Sequence, residues 1–157
     1  PPSQYSIAVM YHFGRDQPRD FAEAIKWYDL AVKSDYAPAL NNLATIYRFG
    51  QGVKIDYERA FEMYRKAAPE HSLAKYNLGD MYSKGQGTQK DKRLAAVWFY
   101  KSAHGGFIKA QYKLGTLYEN GDGVPEDLER AKAWFEMAAK KGHKRAKSAL
   151  RRLNKKK

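Results

Sequence analysis

The chain has no cysteine among its 157 residues. That excludes a disulfide framework, a thiolate nucleophile and a zinc-thiolate centre. Long apolar runs are missing as well. The longest, Leu94 to Tyr100, is seven residues, against the roughly 20 that cross a bilayer as a helix. The start, Pro1-Pro2, carries neither a methionine nor a basic-then-apolar leader. The chain is therefore read as a processed or excised soluble piece, with cytoplasmic and secreted or periplasmic locations both open. Acidic residues are absent from one end. Residues 140–157 hold Lys140, Lys141, Lys144, Arg145, Lys147, Arg151, Arg152 and Lys155 to Lys157 with no Asp or Glu.

What is present divides accordingly. The formal charge is +12, yet the first 139 residues hold 19 bases against 17 acids. The body is nearly neutral and the surplus belongs to the end. Hydrophobic residues at 43% and aromatics at 14% are ample for a packed core, which argues against extended disorder.

Self-similarity settles the architecture. Leu43, Leu78, Leu114 and Leu150 each stand four residues after an alanine (Ala39, Ala74, Ala110, Ala146). Tyr11, Tyr47, Tyr82 and Tyr118 recur in the same phase, with Gly14, Gly50, Gly85 and Gly121 three residues later. Asp20, Asp56, Asp91 and Asp127 follow, then Ala24, Ala60, Ala95 and Ala131. An aromatic pair closes each unit: Trp27-Tyr28, Met63-Tyr64 with one member replaced, Trp98-Phe99 and Trp134-Phe135. Each unit reads as two helices. The first is stopped by its glycine and the second is N-capped by its aspartate, Asp20 and Glu23 having the spacing of a capping box. One such pair cannot bury both of its faces, so stacking along a solenoid follows. The expected layout is four helix pairs, at about 3–38, 39–73, 74–109 and 110–145, a capping helix at 146–154 and a basic tail at 155–157. In the capping helix Ala146, Ala149, Leu150 and Leu153 form the apolar stripe.

The pattern Ala-x-x-x-Leu-Gly-x-x-Tyr-x-x-Gly-x-Gly, then Asp-x-x-x-Ala and Trp-Phe-x-x-Ala-Ala, resembles the Sel-one-like repeat family, a relative of the tetratricopeptide repeats. Ala110 to Gly142 carries it most fully. The resemblance implies an all-α, right-handed α-solenoid and a non-enzymatic scaffold or adaptor for protein–protein interaction. Two departures bear on geometry. Asp16 stands for the second glycine of the first turn, and the second unit is one residue short near Pro69-Glu70-His71.

Chemistry-bearing patterns are absent. The Gly-x-Gly turns lie between helices rather than after a strand, so they read as helix stops instead of phosphate cradles. His12, His71, His104 and His143 fall in different units without ligand spacing and read as surface or loop histidines. The aspartate column lies one repeat apart, too far for paired acids in one cleft, and no Gly-x-Ser-x-Gly elbow occurs. No enzyme, cofactor or metal is expected.

Two surfaces remain as candidates. By analogy with the tetratricopeptide solenoid, four columns line a concave groove. They are Tyr5, Asn41, Tyr76 and Tyr112; Val9, Thr45, Asp80 and Thr116; His12, Arg48, Ser83 and Glu119; and Phe13, Phe49, Lys84 and Asn120. Aromatics with adaptable polar neighbours suit a peptide or protein partner; packing between repeats is the competing role for the tyrosines. The alternative surface is the basic segment 140–157, which would attract nucleic acid, an anionic membrane or an acidic partner. It lacks interleaved aromatics for base stacking, and the bland reading is a solvated cap and tail.

Overall fold

The computed structural model describes residues 1–155, and the lysines at 156 and 157 of the expected tail lie outside it. Among the described residues the chain is all helical. The elements are α1 (Pro2–Phe13), α2 (Phe21–Ala31) with a short 3-10 turn at Val32–Ser34, α3 (Ala37–Phe49), α4 (Tyr57–Ala67), α5 (Ser72–Lys84), α6 (Lys92–His104), α7 (Ile108–Asn120), α8 (Leu128–Lys140) and α9 (Lys144–Asn154). This is the all-α helix-pair repeat expected of the solenoid class. The last helix begins two residues before the expected 146.

Local chemistry sets each boundary. Gly14, Gly50 and Gly121 end their helices at φ 66°, 64° and 63°. The next residue's N–H then reaches back to Met10, Ile46 or Leu117 O, the long bond of a Schellman stop. Asp20, Asp56, Asp91 and Asp127 cap the following helices, accepting from the N–H of Glu23, Arg59, Leu94 and Arg130. The same four aspartates donate their own N–H to the Tyr11, Tyr47, Tyr82 and Tyr118 carbonyls at 2.9 Å. That bond ties the two helices of a pair together. It also corrects the capping-box expectation: the Asp20 N–H is already taken, and the Glu23 carboxylate pairs with Lys26 instead.

The second Gly-x-Gly position serves close approach. A β-carbon on Gly123 (φ 76°) would lie 2.2 Å from the Lys92 carbonyl oxygen, and one on Gly87 (φ 67°) 2.3 Å from that of Tyr57. Asp16 holds the same left-handed conformation, φ 61°, so the first turn keeps its geometry without its glycine. The shortened second unit loses a different residue. Asp35, Gly106 and Gly142 supply a left-handed residue before the next helix. After α4 there is none, and Glu70 and His71 N–H groups bond three residues back to Ala67 and Ala68 instead.

The chain divides into two compact units. The first comprises Pro1–Ala74 with Gln86–Thr88, and the second Lys75–Gly85 with Gln89 onward. In the first unit Tyr28, Tyr64, Leu43 and Ile46 are fully buried among alanines. In the second, Phe99 and Leu114 centre one cluster, and Phe135, Ala146, Ala149 and Leu153 another. The Trp-Phe pairs are not equivalent in their two members. Tyr28, Tyr64, Phe99 and Phe135 are inside, while Trp27, Met63, Trp98 and Trp134 are half-exposed.

Candidate functional site

The predicted groove residues split by burial. In the first unit the structure overturns the surface reading of His12, which is 5% exposed. Its Nδ1 lies 3.0 Å from the Tyr28 hydroxyl and its Nε2 3.0 Å from Gln51 Oε1. Gln51 Oε1 can only accept, so Nε2 carries the proton and Nδ1 accepts from Tyr28. Asn42 donates to both the Tyr28 and Tyr5 hydroxyls. Burial pushes the His12 pKa down, against the raising effect of the Gln51 bond, and pushes that of Tyr28 up. Asn41 and Arg48 are buried too. Asn41 donates to Asn42, and the Arg48 guanidinium makes two bonds to Gln86 Oε1, at 3.0 and 2.7 Å. These three side chains hold the unit together and are not presented to a partner.

The rest of that face is accessible to differing degrees. Tyr5 and Val9 are half-buried, and the Tyr5 ring packs on Tyr28 and Tyr36. Thr45 donates to the Asn41 carbonyl and lies 2.8 Å from the Tyr64 hydroxyl. Phe13 and Phe49 are the open aromatics, 50% and 59% exposed.

In the second unit Tyr76 packs on Phe99 and Phe107, each at 5.3 Å between ring centres. Tyr112 packs on Phe135 at 5.6 Å and stacks on His143 at 4.5 Å and 22°. The tyrosine column therefore packs helices and keeps one edge open. Asp80 and Lys84 pair at 2.9 Å. Ser83 and Thr116 are half-buried and Asn120 is exposed; the Thr116 hydroxyl and Asn120 amide bond back to carbonyls of their own helix. Glu119 receives both guanidinium branches of Arg152, one of them at 3.0 Å.

That last pair joins the two candidate surfaces. Tyr112, Lys144 and Arg145 line two adjoining clefts of about 500 and 420 Å³. The first adds Tyr76, Lys109, Lys113 and His143, the second Ser148, Ala149 and Arg152. The basic segment is thereby sorted. Lys144, Arg145 and Arg152 face this cleft, whereas Lys140, Lys141, Lys147 and Arg151 are exposed and line neither part of it. Lys109, Lys113 and Ser148 are cleft residues that the sequence reading missed. Carrying the groove columns one repeat further, into α9, would have found Ser148 and Arg152, which stand 36 residues after Tyr112 and Thr116.

The other histidines act locally. His71 and His143 cap α5 and α9, their Nδ1 atoms accepting from the Ala74 and Ala146 N–H at 3.3 and 3.2 Å. Both pKa values are lowered, chiefly by burial, and that of His143 also by the charges of Arg145 and Lys109. His104 packs against Tyr100 and Trp134. Among the described residues no three His, Asp or Glu side chains gather as metal ligands, and no helix is long and apolar enough to cross a membrane.

Known proteins share this architecture. A protective antigen of uropathogenic Escherichia coli with an SLR fold superimposes with a TM-score of 0.87 at 34% identity, over 92% of this chain and 31% of that one. A Sel1 repeat protein of Oxalobacter formigenes does so with a TM-score of 0.84 at 35% identity, over 98% and 45%. In sequence, 96 residues are 38% identical to HRD3B of Arabidopsis thaliana, an ERAD-associated E3 ubiquitin-protein ligase component. That match covers 59% of this chain and only 15% of the relative's length. The Sel1 repeat family model matches residues 1–36, 37–68, 72–107 and 108–143, which together make up most of the sequence, and the chain belongs to the Sel1 repeat family.

Proposed function

We propose that this chain is a protein-interaction scaffold whose groove columns receive a peptide or protein, without chemistry of its own. The observation that carries this reading is the open edge of Tyr112 in a cleft of about 500 Å³. A ring fixed by packing on Phe135 and His143 offers contact area at small entropic cost, the property of an interface anchor. Membership of a family of interaction repeats supports it, as does the resemblance to a ubiquitin-ligase component. The exposed bases off the cleft favour a second reading, an electrostatic binder of nucleic acid or an anionic surface.

Because the Tyr76 and Tyr112 rings also pack the helices, truncating them would test folding as well as binding. Obstruction is cleaner: Thr116→Trp with Ser148→Trp fills the face and leaves the cores in place. The assay is capture of partners from native extract at about 150 mM salt, where charges beyond roughly 8 Å are screened, followed by crosslinking to locate the contact. A protein held by the wild type, crosslinked to this face and lost with the obstructed variant is the expected result. Retention by the obstructed variant refutes the groove. Recovery of nucleic acid alone, at low salt alone, establishes the electrostatic reading instead.

A further inference from the structure

We infer that the cleft between Tyr112 and the start of α9 takes an acidic peptide segment, one that carries an apolar or aromatic side chain beside its carboxylates. This deepens the groove reading and rests on it. The cleft is lined by Lys109, Lys113, Lys144 and Arg145 without a single carboxylate, and among the described residues none of the four forms an ion pair. Arg152 at its far part is held by Glu119, which fixes the guanidinium in place. Lys113 Nζ lies over the Phe99 ring at 5.7 Å, but no carboxylate offsets the four cations around this concavity; they repel each other, and a carboxylate-bearing ligand removes that repulsion.

Packing does not require this charge. The positions one repeat earlier, around Tyr76, are Leu73, Asn77, Ile108 and Lys109; two repeats earlier, around Asn41, they are Pro38, Asn42, Ser72 and Leu73. The same framework is built with one cation or none. The polarity of the last site is thus a property of its surface and not of its fold.

Peptide fits better than nucleic acid. The His143 ring already covers one face of Tyr112, so no base can be sandwiched there. A concavity of about 500 Å³ holds a few side chains, and cations around an aromatic edge match alternating acidic and apolar residues.

The test uses the full chain and a short fluorescein-labelled peptide in which glutamates flank one tryptophan, read by fluorescence anisotropy. Two charge-matched variants are compared: Lys144→Glu with Arg145→Glu inside the cleft, and Lys147→Glu with Arg151→Glu on the same helix outside it. Glutamate in the first turn of a helix favours the macrodipole, so the first variant keeps its fold. The expected result is micromolar binding that weakens about tenfold or more with the cleft pair and about threefold or less with the outer pair. The glutamine version of the peptide should not bind. Equal weakening by both pairs overturns the inference, because the attraction is then diffuse. Absence of peptide binding also overturns it, as does tighter binding of duplex DNA or phosphatidylserine vesicles that the cleft pair abolishes. If the captured partner of the groove is lost with Thr116→Trp and Ser148→Trp but kept by the cleft charge variant, the groove stands and its acidic specificity fails.

Discussion

Gly123→Ala and Gly142→Ala make one change at two positions that differ in a single respect. Both glycines have positive φ, 76° and 89°, so each alanine incurs about 1–2 kcal/mol for the left-handed conformation. Each also gains about 0.4–1 kcal/mol from stiffening the unfolded chain. Around Gly142 a new β-carbon meets nothing within 4 Å, so the net loss is about 1 kcal/mol. Around Gly123 it would meet the Lys92 carbonyl oxygen at 2.2 Å and its carbon at 2.7 Å. Restoring ordinary contact moves the backbone by about 1 Å, in an interior that yields poorly to such shifts. The movement disturbs the 2.8 Å Lys92–Asp122 ion pair and the packing of Val124 on the Phe99 cluster. Overpacking of this kind adds about 1–3 kcal/mol. The first repeat shows that φ alone is tolerable, since Asp16 adopts it with a side chain. Thermal and urea melts followed by circular dichroism decide the matter: a loss of about 2–4 °C for Gly142→Ala and about 4–16 °C for Gly123→Ala. Equal losses would show that the second glycine is needed for conformation only, and that the close approach carries no energy.

Stability should fall as pH decreases below about 6.5, because burial holds folded His12 neutral while the unfolded chain takes up the proton. His71 and His143 shift the same way, so His12→Gln should reduce the loss of urea midpoint between neutral and mildly acidic pH without abolishing it; an unchanged loss refutes the burial argument. Asp56→Ala should cost about 1 kcal/mol through the orphaned Arg59 amide, and a denaturation midpoint matching the wild type would show that water replaces the cap. Glu119→Gln should change stability by less than about 1 kcal/mol, since the Arg152 side chain it leaves behind is half-exposed. By freeing Arg152 it should also tighten binding of the acidic peptide, and weaker binding would mean that the guanidinium must be held in place to act.

Much of the fold was legible because it is periodic and local. The aspartate caps and glycine stops depend on neighbours within one or two turns, so spacing alone identifies them. The carbonyl of the tyrosine column was not legible as the acceptor of the aspartate N–H, because backbone partners leave no mark on side-chain pattern. Nor was the burial of His12, whose partners Gln51 and Tyr28 come from elsewhere in the chain. Its position in a groove column pointed outward, and only the packed structure turns it in. The unequal Trp-Phe pairs follow from helix phase: both rings are apolar, and the one-residue offset that exposes Trp98 and buries Phe99 is fixed by the helices packed around them.

The cleft at α9 was hidden for the opposite reason. Columns drawn across four repeats average over what recurs, and they assigned Lys144, Arg145 and Arg152 to a separate basic end. Periodicity in a helical repeat records the demands of packing, which each unit must meet alike. A binding site need be met once. Lys109, Lys113 and Lys144 are visible only as departures from the uncharged residues that hold the same places one and two repeats earlier, and Arg145 as a departure from Leu73 two repeats earlier. In this chain the positions that break the pattern without disturbing the core are therefore the ones to test for partners, and the cations beside Tyr112 come first because, among the described residues, no carboxylate pairs with them.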